Sequence, residues 1–174
     1  MKITLVLLLT AAALTGCSKD ETAPVASSSA VTVTDASLYM LIKSTASYQF
    51  YKNSSDTLAK NNGTSGHTEP KMRTKYNAKA ASQLDANGKV KASPNFPDSS
   101  LIVKEIINTD GSLSYYAVMF KLRSADNADG AGTWVWAKVG PTGSALYSTG
   151  LKGAGCTGCH ASAFDFTRMN DSHP

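Results

Sequence analysis

The sequence predicts an α+β chain, mainly β, in which an antiparallel sheet packs with a few helices. Three observations predict it. Runs dense in branched and aromatic residues, "SLIVKEIIN", "LSYYAVMFKL" and "TWVWAKV", fill the central third, and such runs suit a pleated, half-buried surface. The first two are joined by "TDGS", which reads as a hairpin turn. Helical periodicity is confined to two short stretches, so a four-helix bundle is excluded.

The elements follow in order along the chain. Met1-Lys2 and the apolar stretch 3–14 have the length of an export signal and fall short of a bilayer span. Leu14-Thr15-Gly16-Cys17 resembles the bacterial lipobox, which implies removal of 1–16 and a lipid on Cys17. Residues 17–34, rich in Ser, Thr and Ala, read as a flexible tether. Asp35 is the predicted cap of a helix with Leu38, Leu41, Ile42, Thr45 and Tyr48 at helical spacing, ending near "KNSSD". After the loop "KNNGTSGHTEP" comes an extended piece, "KMRTKYN". Asn77 then caps a helix over 78–86, closed by Asn87-Gly88. The prolines of "SPNFPD" break the helical pattern before the strands begin. In the first long strand Ser100, Ile102, Lys104 and Ile106 share one face, while Leu101, Val103, Glu105 and Ile107 share the other. Both faces are largely apolar, so cover on both sides is expected.

A Gly- and Pro-containing stretch, 140–155, delivers Cys156-Thr157-Gly158-Cys159-His160. "CTGCH" is the attachment sequence of c-type haem: two thiols add to the vinyl groups and the adjoining histidine ligates the iron. A thioredoxin-like dithiol would need a βαβ setting, and a zinc site a second ligand pair; neither context is present. The chain has three cysteines, and lipid on Cys17 with haem on Cys156 and Cys159 uses all of them. The formal charge of +4 comes from scattered basic residues, which gives no footprint for nucleic acid.

The late "CTGCH", preceded by "SGHTEPKMRTKYN", "FPDSSLIVKEI", "YAVMFK" and "GTWVWAKV" and followed by "DFTRMN", resembles the cytochrome P460 family, which includes the β-sheet cytochromes c′. The resemblance runs from about residue 35 to 170, within a haem domain of 35–174. It implies a sheet and a few helices around one covalently attached haem, usually in a homodimer. The implied activity is oxidation of hydroxylamine to nitrous oxide or nitric oxide at an iron with an open distal side. The alternative is a non-catalytic protein that binds nitric oxide, and a third reading is a periplasmic electron carrier. Export, lipid and haem imply the periplasmic side of a bacterial membrane, with Ser18 after the lipid cysteine compatible with the outer membrane. Another c-type cytochrome is the kind of redox partner implied.

The family pattern maps onto named residues. His160 is the implied iron ligand, and Lys104 matches the lysine that catalytic members join covalently to the porphyrin edge. A snorkelling lysine is the plain alternative, since a buried ammonium is costly unless paired or altered. Arg73 resembles a pocket cation, and His67 could act as a sixth ligand or proton carrier. Phe166 is expected to pack on the haem, whereas a shortened spacing leaves Asp165 without an assigned role. Trp134 and Trp136 read as core first. Met72, Met119 and Met169 read as core filling rather than ligation, and His173 as a terminal histidine without a role. No carboxylate is placed in the distal pocket, although hydroxylamine oxidation needs a proton acceptor.

Overall fold

Alternation of side chains along four long strands decides the architecture of the computed structural model, which describes residues 30–60, 65–131 and 133–168. The export signal, Cys17, Met169 and His173 lie outside the described residues. The strands are β1 (Gln49–Phe50), β2 (Leu58–Ala59), β3 (Lys71–Tyr76), β4 (Leu101–Ile107), β5 (Leu113–Lys121), β6 (Trp134–Val139) and β7 (Ala145–Tyr147). They form one antiparallel sheet in the order β1-β3-β4-β5-β6-β7, with β2 also paired to β3. The chain is therefore α+β and mainly β. Its helices are α1 (Asp35–Lys43), α2 (Ala78–Ala81) and α3 (Thr157–His160).

One sheet face lies under α1. Leu38 and Ile42 are buried there with Leu101, Val103, Val118, Val135 and Val139. Thr34 is the helix cap, its side chain accepting from the Ser37 amide in a capping box. Asp35, the cap expected from sequence, instead accepts from Ser148 Oγ and the Thr149 amide at 2.7 Å each. The helix stops at Lys43, five residues before the expected face runs out. Thr45, Ala46 and Ser47 form a 3₁₀ turn, after which Gln49 and Phe50 pair with Tyr76 and Lys75 in the sheet. Sheet pairing outweighs the helical spacing of Thr45 and Tyr48. The end of the expected tether is also docked: Val33 is buried, and Asn127 bonds both its amide and its carbonyl, at 3.1 and 2.6 Å.

The other face carries Tyr76, Phe96, Ile102, Met119, Trp134 and Trp136 in one buried cluster with Ala80 of α2. α2 is shorter than the expected 78–86. Asp85 Oδ1 accepts from the amides of Asn87 and Lys89, and this local turn competes with continued helix. Asn77 does cap α2, accepting from the Ala80 amide, and the same oxygen accepts from Leu101 N of β4 while Nδ2 donates to Ser99 O. Asn77 thus ties α2, β4 and their connection together. Replacing it with Ala is expected to cost about 1–2 kcal/mol, read as a lower urea midpoint with an unchanged slope.

Candidate functional site

Register across the sheet places Thr74, Lys104, Ala117 and Lys138 in one row on the face away from α1. Alanine between two long side chains leaves a hollow, and a cavity of about 110 Å³ opens there. The sheet contributes Ile102, Lys104, Met119, Trp136 and Lys138 to the walls. His67 enters from the segment before β3, and Cys156, Cys159, His160 and Arg168 come from the C-terminal segment.

The C-terminal segment is seated by glycine and by one carboxylate. Gly153 has φ +76°, and a Cβ there would lie 2.7 Å from Trp136 Cδ1, so only glycine lets the chain approach the indole this closely. Its carbonyl then accepts from the amides of Cys156 and Thr157 at 2.8 and 3.0 Å, starting the turn that becomes α3. Downstream, Asp165 accepts from Lys121 Nζ at 2.6 Å, from the Phe96 amide at 2.7 Å and from Trp134 Nε1 at 3.2 Å. Lys121 is buried on β5, so this is a desolvated pair holding the segment to the sheet. The shortened spacing left Asp165 without a role in the sequence, and its partners Lys121, Phe96 and Trp134 lie far away in the chain.

His160 is aimed by the same segment. Its Nδ1 is 2.7 Å from the carbonyl of Phe166. A carbonyl only accepts, so Nδ1 carries the proton and the neutral ring has its lone pair on Nε2. That is the arrangement of a metal-ligating histidine oriented by a backbone acceptor. Trp136 meets the His160 ring edge-on, centroids 4.8 Å apart, and is itself oriented by Nε1 donating to Asp129 Oδ2 at 2.5 Å. Phe166 packs near the same indole at 6.5 Å, so it reaches the site through its carbonyl and through Trp136.

Lys104 makes no hydrogen bond or ion pair with the described residues, and burial pushes its amine down to about 8. Its neighbour Glu105 points to the opposite face and takes Arg73 Nε at 2.6 Å and Lys75 Nζ at 2.6 Å. Arg73 therefore does not line the cavity: one residue of strand alternation puts it on the α1 side of the sheet, against the expectation of a pocket cation. His67 is pushed down to about 3, first by burial and then by the charges of Lys104, Lys138, His160 and Lys60. It stays neutral, with Nδ1 2.9 Å from the Tyr115 hydroxyl. Met72 is buried at the core with Ile106 and Tyr115, whereas Met119 stands at the cavity wall.

The donor set fits a c-type haem: two thiols one helical turn apart, an oriented imidazole and a half-buried amine with no hydrogen bond or ion pair among the described residues, all facing one gap. Burial raises the Cys156 thiol above its ordinary value, opposite to the lowered value of a redox-active dithiol. Among the described residues no group of three or more His, Cys, Asp or Glu side chains converges as a metal site, so the second ligand pair of a zinc site is not assembled there. No protein-family model, curated protein or solved structure matches the chain.

Two outcomes are expected. Asp165→Ala strips buried Lys121 of its counter-charge and should cost about 3–5 kcal/mol in urea unfolding, with Asp165→Asn costing less because it keeps hydrogen-bonding oxygen. The His67 ring, protonating only near pH 3, should show a flat C2–H chemical shift between about pH 5 and 8, where an unperturbed histidine titrates.

Proposed function

We propose that this chain is a mono-haem c-type cytochrome of the cytochrome P460 kind, which binds a small nitrogen ligand beside Lys104 and oxidises hydroxylamine to nitrous oxide or nitric oxide. The observation that carries this reading is the convergence of Cys156, Cys159, His160 and Lys104 on one cavity. They come from a C-terminal turn and a central strand, and the attachment motif alone does not require the lysine to be there.

Cys156 and Cys159 would hold the haem through thioethers, and His160 would offer Nε2 to the iron while Phe166 keeps the ring in place. Lys104 would join the porphyrin edge, an N–H and a ring C–H giving way to one N–C bond while an external two-electron oxidant of the peroxide class takes up the two electrons and two protons. Its amine titrates at about 8, so a useful fraction is unprotonated and nucleophilic near neutral pH. When bound, the haem would supply redox-active iron for the nitrogen ligand. The protein does the rest. Ile102, Met119 and Trp136 wall the cavity with apolar surface and restrict water. Lys138 and Arg168 bring positive charge suited to the haem carboxylates. His67 is held neutral near the ligand and can take a proton. Electrons would pass to another c-type cytochrome, with the family's homodimer tethered through lipid on Cys17 at the periplasmic side of a membrane.

One observation favours a second reading. No carboxylate is among the described residues that line the cavity, which suits a protein that binds nitric oxide without turning over hydroxylamine.

Purified protein from a host that matures c-type haem separates the two. The first reading expects an intact mass that includes one haem with hydrogens lost to a lysine bond, a reduced Soret band far to the red, and hydroxylamine consumption. Lys104→Leu should abolish the red shift and the turnover while nitric oxide still binds. An ordinary high-spin spectrum with unaltered haem mass supports the binding reading, and a red shift that survives in Lys104→Leu rules out this lysine as the crosslink.

A further inference from the structure

A line of hydrogen bonds leaves the cavity on the side of His67. Its Nδ1 lies 2.9 Å from the Tyr115 hydroxyl; that hydroxyl donates to Glu69 Oε2 at 3.4 Å, and Ser114 Oγ donates to Glu69 Oε1 at 3.0 Å. When Tyr115 donates to the ionised Glu69 carboxylate, its oxygen accepts from His67, Nδ1 carries the ring proton and the lone pair of His67 is on Nε2. His67 lines the cavity and Tyr115 is buried, whereas Glu69 is partly exposed. The three groups run from the cavity to solvent.

We propose that His67, Tyr115 and Glu69 form a proton relay that takes protons from a substrate in the cavity and delivers them to the Glu69 carboxylate. This rests on the hydroxylamine reading and supplies the acceptor that the cavity walls lack. In one transfer an N–H or O–H of hydroxylamine gives its proton to His67 Nε2. The Nδ1 proton passes to the Tyr115 oxygen, and the tyrosine proton passes to Glu69 Oε2. Histidine and tyrosine end neutral, and Glu69 ends as the neutral acid. Glu69 then releases its proton to water, and His67 regains the Nδ1–H tautomer by giving its Nε2 proton to water and taking one back on Nδ1 before the next transfer. The electrons leave separately, through the haem to the redox partner.

The surroundings favour passage over storage. Lys104, Lys138, Lys60 and His160 face His67 and disfavour an imidazolium, and Lys138 Nζ lies 5.6 Å from the centre of the Tyr115 ring. A proton arriving on Nε2 is driven onward. Burial pushes the Glu69 carboxyl upward, but hydrogen bonds from its own amide, Ser114, Thr68 and Tyr115 outweigh this and leave it below its ordinary value. Glu69 is ionised at neutral pH and sheds what it receives. The Tyr115–Glu69 step is the long one, and such bonds shorten when substrate fills a site.

A purely structural latch between the 65–70 segment and β5 would use the same contacts, so the test separates hydrogen bonding from proton acceptance. It uses the full-length haem-loaded protein, with covalent haem and nitric oxide binding measured on every sample. In the reduced carbon monoxide complex, ¹⁵N spectra of labelled histidine should show wild-type His67 as the Nδ1–H tautomer, with Tyr115→Phe moving population to Nε2–H. Glu69→Gln keeps one accepting oxygen, for Ser114 or for Tyr115, but accepts no proton. It should slow hydroxylamine oxidation about 100-fold with haem content and nitric oxide binding unchanged. An Nε2–H tautomer in the wild type, or Glu69→Gln turnover within about twofold of wild type when general acid–base loss predicts far more, overturns the relay alone. A wild type that binds nitric oxide yet never oxidises hydroxylamine overturns the enzymatic reading and the relay with it.

Discussion

The site depends on the carboxylate of Asp165. By holding Lys121, Trp134 and the Phe96 amide together, it pins the segment after "CTGCH" to the sheet. That pin helps to hold the Phe166 carbonyl, which accepts at His160 Nδ1. Asp165 and Phe166 both take positive φ, 47° and 60°, a backbone cost that persists only where surrounding contacts over-determine the conformation. The buried ion pair and the indole hydrogen bonds supply those contacts.

Strand alternation sorts charge as strictly as it sorts apolar surface. On the α1 face Glu105 gathers Arg73 and Lys75, so the cations there share a carboxylate. On the other face Lys104 and Lys138 flank Ala117 without a carboxylate in the cavity wall. An amine on a central strand with no hydrogen bond or ion pair among the described residues is costly in proportion to its burial. The arrangement makes sense when the amine has a chemical partner that arrives with a cofactor, and an anion-bearing macrocycle would also answer the positive charge of Lys138 and Arg168.

The long strands were legible because their signals are local. "SLIVKEIIN", "LSYYAVMFKL" and "TWVWAKV" became β4, β5 and β6, and Asn77 announced α2. Element ends were less legible: the Asp85 turn shortened α2, and pairing of Gln49 and Phe50 with β3 cut α1 off at Lys43. Of the site, the motif was legible in the residues themselves, whereas Lys104 was singled out by the resemblance and by the apolar faces of its strand. Arg73 was misplaced because a resemblance carries residue identity but not strand phase, and its pairing with Glu105 follows from a register that only the sheet reveals. Asp165, Asp129 and Glu69 were hidden for another reason. Each is an ordinary acidic residue whose meaning comes from partners brought near by folding, such as Lys121 for Asp165 and Tyr115 for Glu69.

Peptide mapping of the purified holoprotein tests the central claim most directly, because it asks which side chains carry the haem. The account predicts that tryptic peptide 153–168 bears one haem and that the peptide spanning Lys104 is joined to it through the same macrocycle. A haem-free 153–168 peptide from protein matured in a competent host would contradict it.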